Sequence, residues 1–310
     1  MGWKCALPTE LAAAVAMLDE RHNPFPQDSH DHNNYTLGQI GVHNVAIACL
    51  PSGVTGITSA AIVASHIRST FPSIRFGLMV GVGGGAPSAK NDIRMGDVVI
   101  SKPDGTSGGV IQYDFGKTVQ EGRFVRTGSL NRPPTVLLSA VNTLQAKHLM
   151  EELELTRHLS EMVMRYSRMQ AAGTYPGGQY DQLFQAEYIH QEDNDTCTNC
   201  NQVHTVSRLI RSDSVPGVHY GLIASGSQVM RDGVTREKLR QELNVLCFEM
   251  EAAGLMDDFP CLVIRGICDY ADTHNNKRWQ PYSAAVAAAY AKELLCSPHP
   301  SHRGDECTRM

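Results

Sequence analysis

Apolar positions along this chain fall in short, nearly unbroken runs that alternate with stretches of helical spacing. Residues 42–50 (VHNVAIACL), 76–82 (FGLMVGV), 97–101 (DVVIS), 219–224 and 260–267 (PCLVIRGI) read as strands. Residues 59–71 (SAAIVASHIRSTF) space Ile62, His66 and Ile67 toward one helical face. Residues 244–256 and 283–295 read as helices, the second almost purely Ala, Val, Tyr and Leu along its buried face. Unbroken apolar strands between helices predict an α/β sheet covered on both faces. No repeat period is visible, which excludes a solenoid.

One region breaks the pattern. From about 141 to 218 the chain first carries an amphipathic, helix-like segment at 144–167. It then turns polar through TYPGGQYDQ and HQEDNDTCTNC, where EDND reads as plain loop. The pattern predicts a single domain over residues 1–296 with an insertion at about 141–218. The tail 297–310 (SPHPSHRGDECTRM) has no apolar period and is expected to be disordered.

Composition narrows the class. Of 310 residues, 42% are apolar and 19% charged, an ordinary globular balance. With 27 basic and 32 acidic side chains the net charge is −5, the wrong sign for a partner held by phosphate contacts, so no nucleic acid is expected. The longest apolar stretches reach only about half the length of a membrane span, so no membrane is expected either. Glu10 and Asp19 interrupt the N-terminal apolar residues and no cleavage pattern follows, which predicts a cytoplasmic protein. Nine scattered cysteines, most of them in apolar runs, fit a reducing compartment.

Four segments carry candidate chemistry. VGVGGGAP (80–87) nominally satisfies a dinucleotide fingerprint with Gly81, Gly83 and Ala86. No helix opens at the glycines, however, and Pro87 follows them. The run suits a strand end where backbone approaches a flat ligand. CFEMEAAG (247–254) sets Glu249 and Glu251 at the head of the predicted helix, and one such carboxylate can accept both hydroxyls of a sugar diol. VIRGICDYAD (263–272) puts Asp269 just past a strand, where burial would raise its pKa toward that of a general acid. ALPTEL (6–11) starts an Ala-rich helix with Glu10 in its first turn. Each has a plainer alternative: a turn, an acidic first helical turn, an Asp cap, a helix-start carboxylate. Separately, His190, Cys197, Cys200 and His204 read H-x6-C-x2-C-x3-H. The set could hold a structural zinc tetrahedrally, although the spacing matches no standard site. No catalytic metal is expected.

Taken in order along residues 1–295, these segments resemble the nucleoside phosphorylase and nucleosidase superfamily, in the branch that includes methylthioadenosine/S-adenosylhomocysteine nucleosidase. They are most similar to the fungal purine/uridine phosphorylase-type domains associated with NACHT or ankyrin-repeat proteins. FEMEAAG followed by IRGICDYAD is the specific combination. The resemblance implies a mixed, partly closed central sheet with helices on both faces. It implies that Asp269 protonates the purine and that Glu251 holds the ribose hydroxyls, with Met250 packed on the sugar. Gly83 and Gly84 would lie beneath ribose and base, and Val229 and Met230 would cover the purine where relatives often carry an aromatic. Glu10 would activate the attacking water. The loop 51–61 (PSGVTGITSAA) lacks the arginines that phosphorolysis requires. The implied activity is therefore hydrolysis of a purine nucleoside to base and ribose, by a homo-oligomer without a cofactor. The alternatives are phosphorolysis, hydrolysis of a 5′-phosphorylated nucleotide such as ATP, or a non-catalytic nucleoside sensor.

Overall fold

The chain enters on a strand ahead of its first predicted helix. β1 (Gly2–Cys5) is buried throughout and leads into α1 (Pro8–Ala16), whose first residue supplies a φ already suited to a helical turn. The two-residue β2 (Glu20–Arg21), β3 (Tyr35–Ile40) and β4 (His43–Cys49) follow, then α2 (Ile57–Thr70) and β5 (Gly77–Gly85). Next come β6 (Val98–Ser101), β7 (Val110–Gln112) and a separate hairpin of β8 (Gly116–Thr118) with β9 (Phe124–Arg126). α3 (Thr135–His148), α4 (Leu155–Arg165) and the single turn α5 (Gln170–Gly173) precede a long irregular stretch. The chain closes through β10 (Val218–Ser225), α6 (Gly233–Leu243), β11 (Val245–Glu249), β12 (Cys261–Asp269) and α7 (Gln280–Cys296). This computed structural model describes residues 1–297 except 25, 191–195, 198, 212, 275 and 276. The expected loop EDND and all but the first residue of the expected tail lie outside the described residues.

One ten-stranded sheet runs β11-β10-β6-β12-β5-β1-β4-β3-β2, with β7 also beside β10. It is mixed: β12 is parallel to β5 and antiparallel to β6. β11 pairs a second time, antiparallel to β5 through Cys247↔Gly85 and Phe248↔Gly84. That seam closes β5, β12, β6, β10 and β11 into a ring and leaves β1 to β4 as an open wing. The expected mixed, partly closed sheet is present.

Alternation along the strands fills two large cores and a smaller one of Ala86, Leu222, Ala224, Val245, Phe248 and Ala271. Leu78, Val80, Leu262 and Ile264 face α1 and α7, while Met79, Cys261 and Val263 face α2. α7 is buried on every side over residues 284–291, which is why its sequence is apolar all round. Among the described residues no helix is long and apolar enough to cross a membrane.

Several expectations need correction. Residues 244–256 are not a helix: Asn244, at φ 53°, closes α6 in the left-handed conformation, and Val245–Glu249 is a strand followed by a 3-10 turn at Ala252–Gly254. A strand buried on both faces reads as one apolar run, which periodicity cannot separate from a buried helix. α2 buries Ala60, Val63, Ala64 and Ile67, whereas Ile62 is 54% exposed, so the inward stripe lies one residue round from the predicted face. The segment 144–167 is the end of one helix and the whole of another. β5 extends past the expected end at Val82 and runs through Gly85.

The irregular stretch after α5 is pinned to the main body. Trp279 Nε1 donates to the Tyr180 carbonyl at 3.2 Å, and Arg208 donates to Asp181 at 3.0 Å and to the Tyr270 hydroxyl at 2.7 Å. Arg211 grips Asp97, beside β6, with two bonds of 2.6 Å.

Candidate active site

The site is built around a cation that the sequence hides inside an apolar strand. Arg265 on β12 is 1% exposed, and such a charge needs partners in kind. Its guanidinium donates to Glu249 in a short contact, to Glu251 at 3.4 Å and to the Val82 carbonyl at 3.3 Å. Glu249, at the end of β11, also accepts the backbone N–H groups of Glu251 (3.1 Å) and Ala252 (3.0 Å). Glu249 is therefore a fixed strut: it neutralises Arg265 and shapes the turn that presents Glu251. Glu251 is 5% exposed, and burial pushes its carboxyl up to about 7, with Glu249 and Glu10 adding to the rise against the pull of Arg265.

Glu10 reaches the same place from α1. One of its oxygens accepts the N–H groups of Ala6 (2.7 Å) and Leu7 (3.0 Å), and the other accepts Val82 N–H from β5 at 2.8 Å. A carboxylate has about four acceptor positions, so one lone pair is left, on Oε1. Burial raises the Glu10 carboxyl, while Arg265 and the backbone donors partly oppose the shift. Gly81 makes the approach possible, because a β-carbon there would stand 2.5 Å from Glu10 Oε1 and 2.6 Å from the Arg265 guanidinium.

Asp269 is the last residue of β12. Its Oδ1 accepts Ala271 N–H at 2.8 Å and the Cys268 thiol lies 3.3 Å from its other oxygen. Burial raises its carboxyl and nearby Asp272 adds to the effect, so it holds a proton more tightly than an ordinary aspartate. Gly84 is required beneath it, since a β-carbon would stand 2.6 Å from Asp269 Oδ1 and 2.8 Å from the Ala271 β-carbon. A β-carbon on Gly83 would stand 2.9 Å from the Phe248 carbonyl, across the seam that closes the ring.

All of these groups open onto one cavity of about 290 Å³. Glu10, Gly83, Gly84, Met250, Glu251 and Asp269 line it, and Val229 and Met230 stand on its wall as well. The cavity thus gathers all eight residues singled out in the sequence for catalysis and binding. Of the candidate zinc residues, His190, Cys197 and Cys200 cluster elsewhere and His204 is turned away.

Residues 4–295 match the Phosphorylase superfamily over nearly the whole chain. The chain belongs to that superfamily. A nucleotide-binding leucine-rich repeat (NLR)-like protein of Hyaloscypha variabilis is 48% identical over 300 residues, covering 96% of this chain and 29% of that protein. A 5′-methylthioadenosine/S-adenosylhomocysteine nucleosidase of Mycobacterium bovis is 33% identical over 85 residues, covering 26% of this chain and 33% of that one. The chain thus spans about a third or less of the length of the curated relatives it matches. The structure of futalosine hydrolase from Helicobacter pylori superposes with a TM-score of 0.59 at 15% identity, over 95% of this chain and 96% of that one, which shows the shared fold.

Two lining residues that shape the site, Arg265 and Phe248, lie outside the eight singled out in the sequence. Arg265 stood in plain view in CLVIRGI; a lone charge in a run otherwise fit for a core was the available signal. Phe248, 4% exposed, supplies the cavity with an aromatic wall from β11, whereas Val229, at the expected aromatic position, is 56% exposed. Tyr113 packs edge-on to Phe248 at 5.7 Å and donates to the Gln228 carbonyl at 3.0 Å, steadying the segment that carries Val229 and Met230.

Proposed function

We propose that this superfamily member hydrolyses the N-glycosidic bond of a purine nucleoside, releasing base and ribose. The observation that carries the reading is the pairing of two buried, differently held carboxyls on one cavity. Glu10 has a single acceptor position to spare, and Asp269 tends to keep its proton. Water loses a proton to Glu10 as its oxygen bonds to C1′. The C1′–N9 bond breaks toward the base, and the purine takes a proton from Asp269. Glu251 accepts the ribose hydroxyls in its ionised form and, with Glu10, stabilises positive charge developing on the sugar.

The cations support water over phosphate as the nucleophile. Arg265 is the cation beside Glu10 and Glu251, and its charge is already committed to Glu249 and Glu251. No arginine occupies residues 51–61. The names of the nucleosidase and hydrolase relatives point the same way. One observation favours a phosphorylated substrate: Arg231 and Lys277, both exposed, stand on the cavity wall. Cytoplasmic, homo-oligomeric enzyme is the setting this reading expects.

The test is product analysis on a panel of purine nucleosides and their 5′-mono- and triphosphates, with and without inorganic phosphate. Free ribose, or ribose 5-phosphate and its higher phosphates, at a rate independent of added phosphate is the expected result. Ribose 1-phosphate in proportion to added phosphate would overturn it, and binding without any turnover would favour a sensor.

A further inference from the structure

Away from the cavity, three soft ligands meet that the proposed reaction does not use. The ring of His190 and the thiols of Cys197 and Cys200 offer atoms that all lie within 4.8 Å of one another. All three side chains are half-buried, and Cys200 N–H donates to the Cys197 carbonyl at 3.2 Å, which folds the C-x2-C pair into a tight turn with both sulfurs converging. Tetrahedral zinc holds its ligand atoms about 3.3–3.8 Å apart, given Zn–S and Zn–N bonds of about 2.3 and 2.0–2.1 Å. A modest contraction of this cluster reaches that spacing.

The fourth ligand does not come from His204, the residue the sequence spacing offered. The His204 ring stacks on Tyr188 at 4.4 Å, and its Nδ1 sits 3.3 Å from Gln185 Oε1. Across the gap stands His274, 3% exposed, which stacks on Phe184 at 4.1 Å and meets the His190 ring edge-on at 5.5 Å. Its ring nitrogens lie outside the 4.8 Å that encloses the other three ligand atoms, so the ring must shift toward them to complete the set. Its Nδ1 lies 3.5 Å from Asp272, and its Nε2 has no hydrogen-bond partner among the described residues. A buried imidazole nitrogen left without a partner is a standing cost that a metal bond removes. Its carbonyl lies 3.9 Å from the Cys197 sulfur, so the two segments already touch.

The geometry points to a structural zinc-class site formed by His190, Cys197 and Cys200 and completed by His274. Two thiolates with two imidazoles select zinc over magnesium or calcium, and four protein ligands leave no open position for chemistry. The site fastens the irregular stretch to the segment that follows β12. His190 N–H already donates to Thr273 Oγ1 at 2.9 Å, and that segment runs from Asp269 to the cavity residue Lys277. None of the four ligands lines the cavity, so the role of the metal is separable from the reaction assigned to Glu10 and Asp269.

The experiment uses the full chain, purified with reductant from zinc-containing medium. Elemental analysis is expected to find about one zinc per chain. Chelated protein titrated with Co²⁺ should develop thiolate-to-cobalt absorption and tetrahedral d–d bands. Cys197→Ser with Cys200→Ser should abolish both signals, His274→Ala should weaken Co²⁺ binding at least about tenfold, and His204→Ala should leave it unchanged. Should the double serine variant fail to fold, alkylation of the wild-type thiols read by mass spectrometry replaces it, and zinc is expected to slow labelling of Cys197 and Cys200 alone. Absence of both zinc and cobalt bands from the reduced wild type, unprotected thiols, or undiminished metal in the double variant would each overturn the site. Equal loss of binding in the His204 and His274 variants would overturn the fourth ligand.

Discussion

At the scale of single residues, the two proposed catalytic carboxyls differ in how they are held, and their conservative variants should therefore behave differently. Asp269→Asn keeps an oxygen for Ala271 N–H. It should leave the melting temperature near wild type and nucleoside binding intact, while base release falls by about 10²–10⁴-fold, the usual worth of a general acid. Single-turnover kinetics with calorimetric binding check both halves. Glu10→Gln is a harsher change. An amide must turn its NH₂ either toward Val82 N–H or toward the pair from Ala6 and Leu7, setting donor against donor. Loss of activity should come with a loss of about 1–3 kcal/mol of stability, read by urea unfolding. A Glu10→Gln protein as stable as wild type would mean that the backbone cradle around this carboxyl is looser than described. Glu10, Glu251 and Asp269 were legible because short motifs surround them. Arg265 and Phe248 were not, because each sits in a run whose other members are simply core. Their meaning comes from what lies opposite them: Glu249 and the distant Val82 for Arg265, and Gly84 of β5 for Phe248.

Between elements, β12 and α7 meet backbone on backbone. A β-carbon on Gly266 of β12 would overlap the Ser283 carbonyl of α7, whose own hydroxyl donates to the Ile267 carbonyl at 2.7 Å. Gly266→Ala should push α7 off the sheet and cost about 3 kcal/mol, seen as a lower midpoint in urea with an unchanged slope. An alanine variant of wild-type stability would show that helix and strand can part without penalty. Elements of this kind were legible where turn residues or length set their bounds and illegible where an apolar run passed straight into a helix-forming sequence. β4, β6, β10 and β12 announced themselves by apolar runs bounded by turns, and α7 by length. β11 did not, since five buried residues followed by MEAAG fit a helix as easily as a strand. β1 escaped because four residues are too few to show a period.

For the molecule as a whole, the site is bought with stability, in a way that depends on pH. Glu10, Glu251 and Asp269 all have carboxyls raised by burial in the folded state. A raised carboxyl adds stability that is complete below its unfolded value and is lost as pH rises through its folded value. For Glu251 that window runs from about 4.5 to about 7. Glu154 and Asp97, held low by their cationic partners, act in the opposite sense at lower pH. The wild-type unfolding free energy minus that of Glu251→Gln should therefore fall across pH 4.5–7 and level off above it, as urea titrations at several pH values would show. A difference independent of pH would mean that Glu251 titrates as an ordinary glutamate.

The second pairing of β11 has a consequence for how this protein comes apart. With β5 and β10 on its two sides, β11 cannot peel away from an end, and neither can its four partners in the ring. Opening any one of them breaks two seams at once. Amide protons of β5, β11 and β12 should then exchange with solvent deuterium only when the entire chain unfolds, while those of β2, β3 and the β8–β9 hairpin exchange through local fraying. Hydrogen-exchange mass spectrometry would show two classes of peptide, with Glu251 and Asp269 at the edge of the slow one and Glu10 moored to it through Val82. Heat should accordingly leave no half-open form of the cavity. Each molecule either keeps the whole arrangement or loses it in one step.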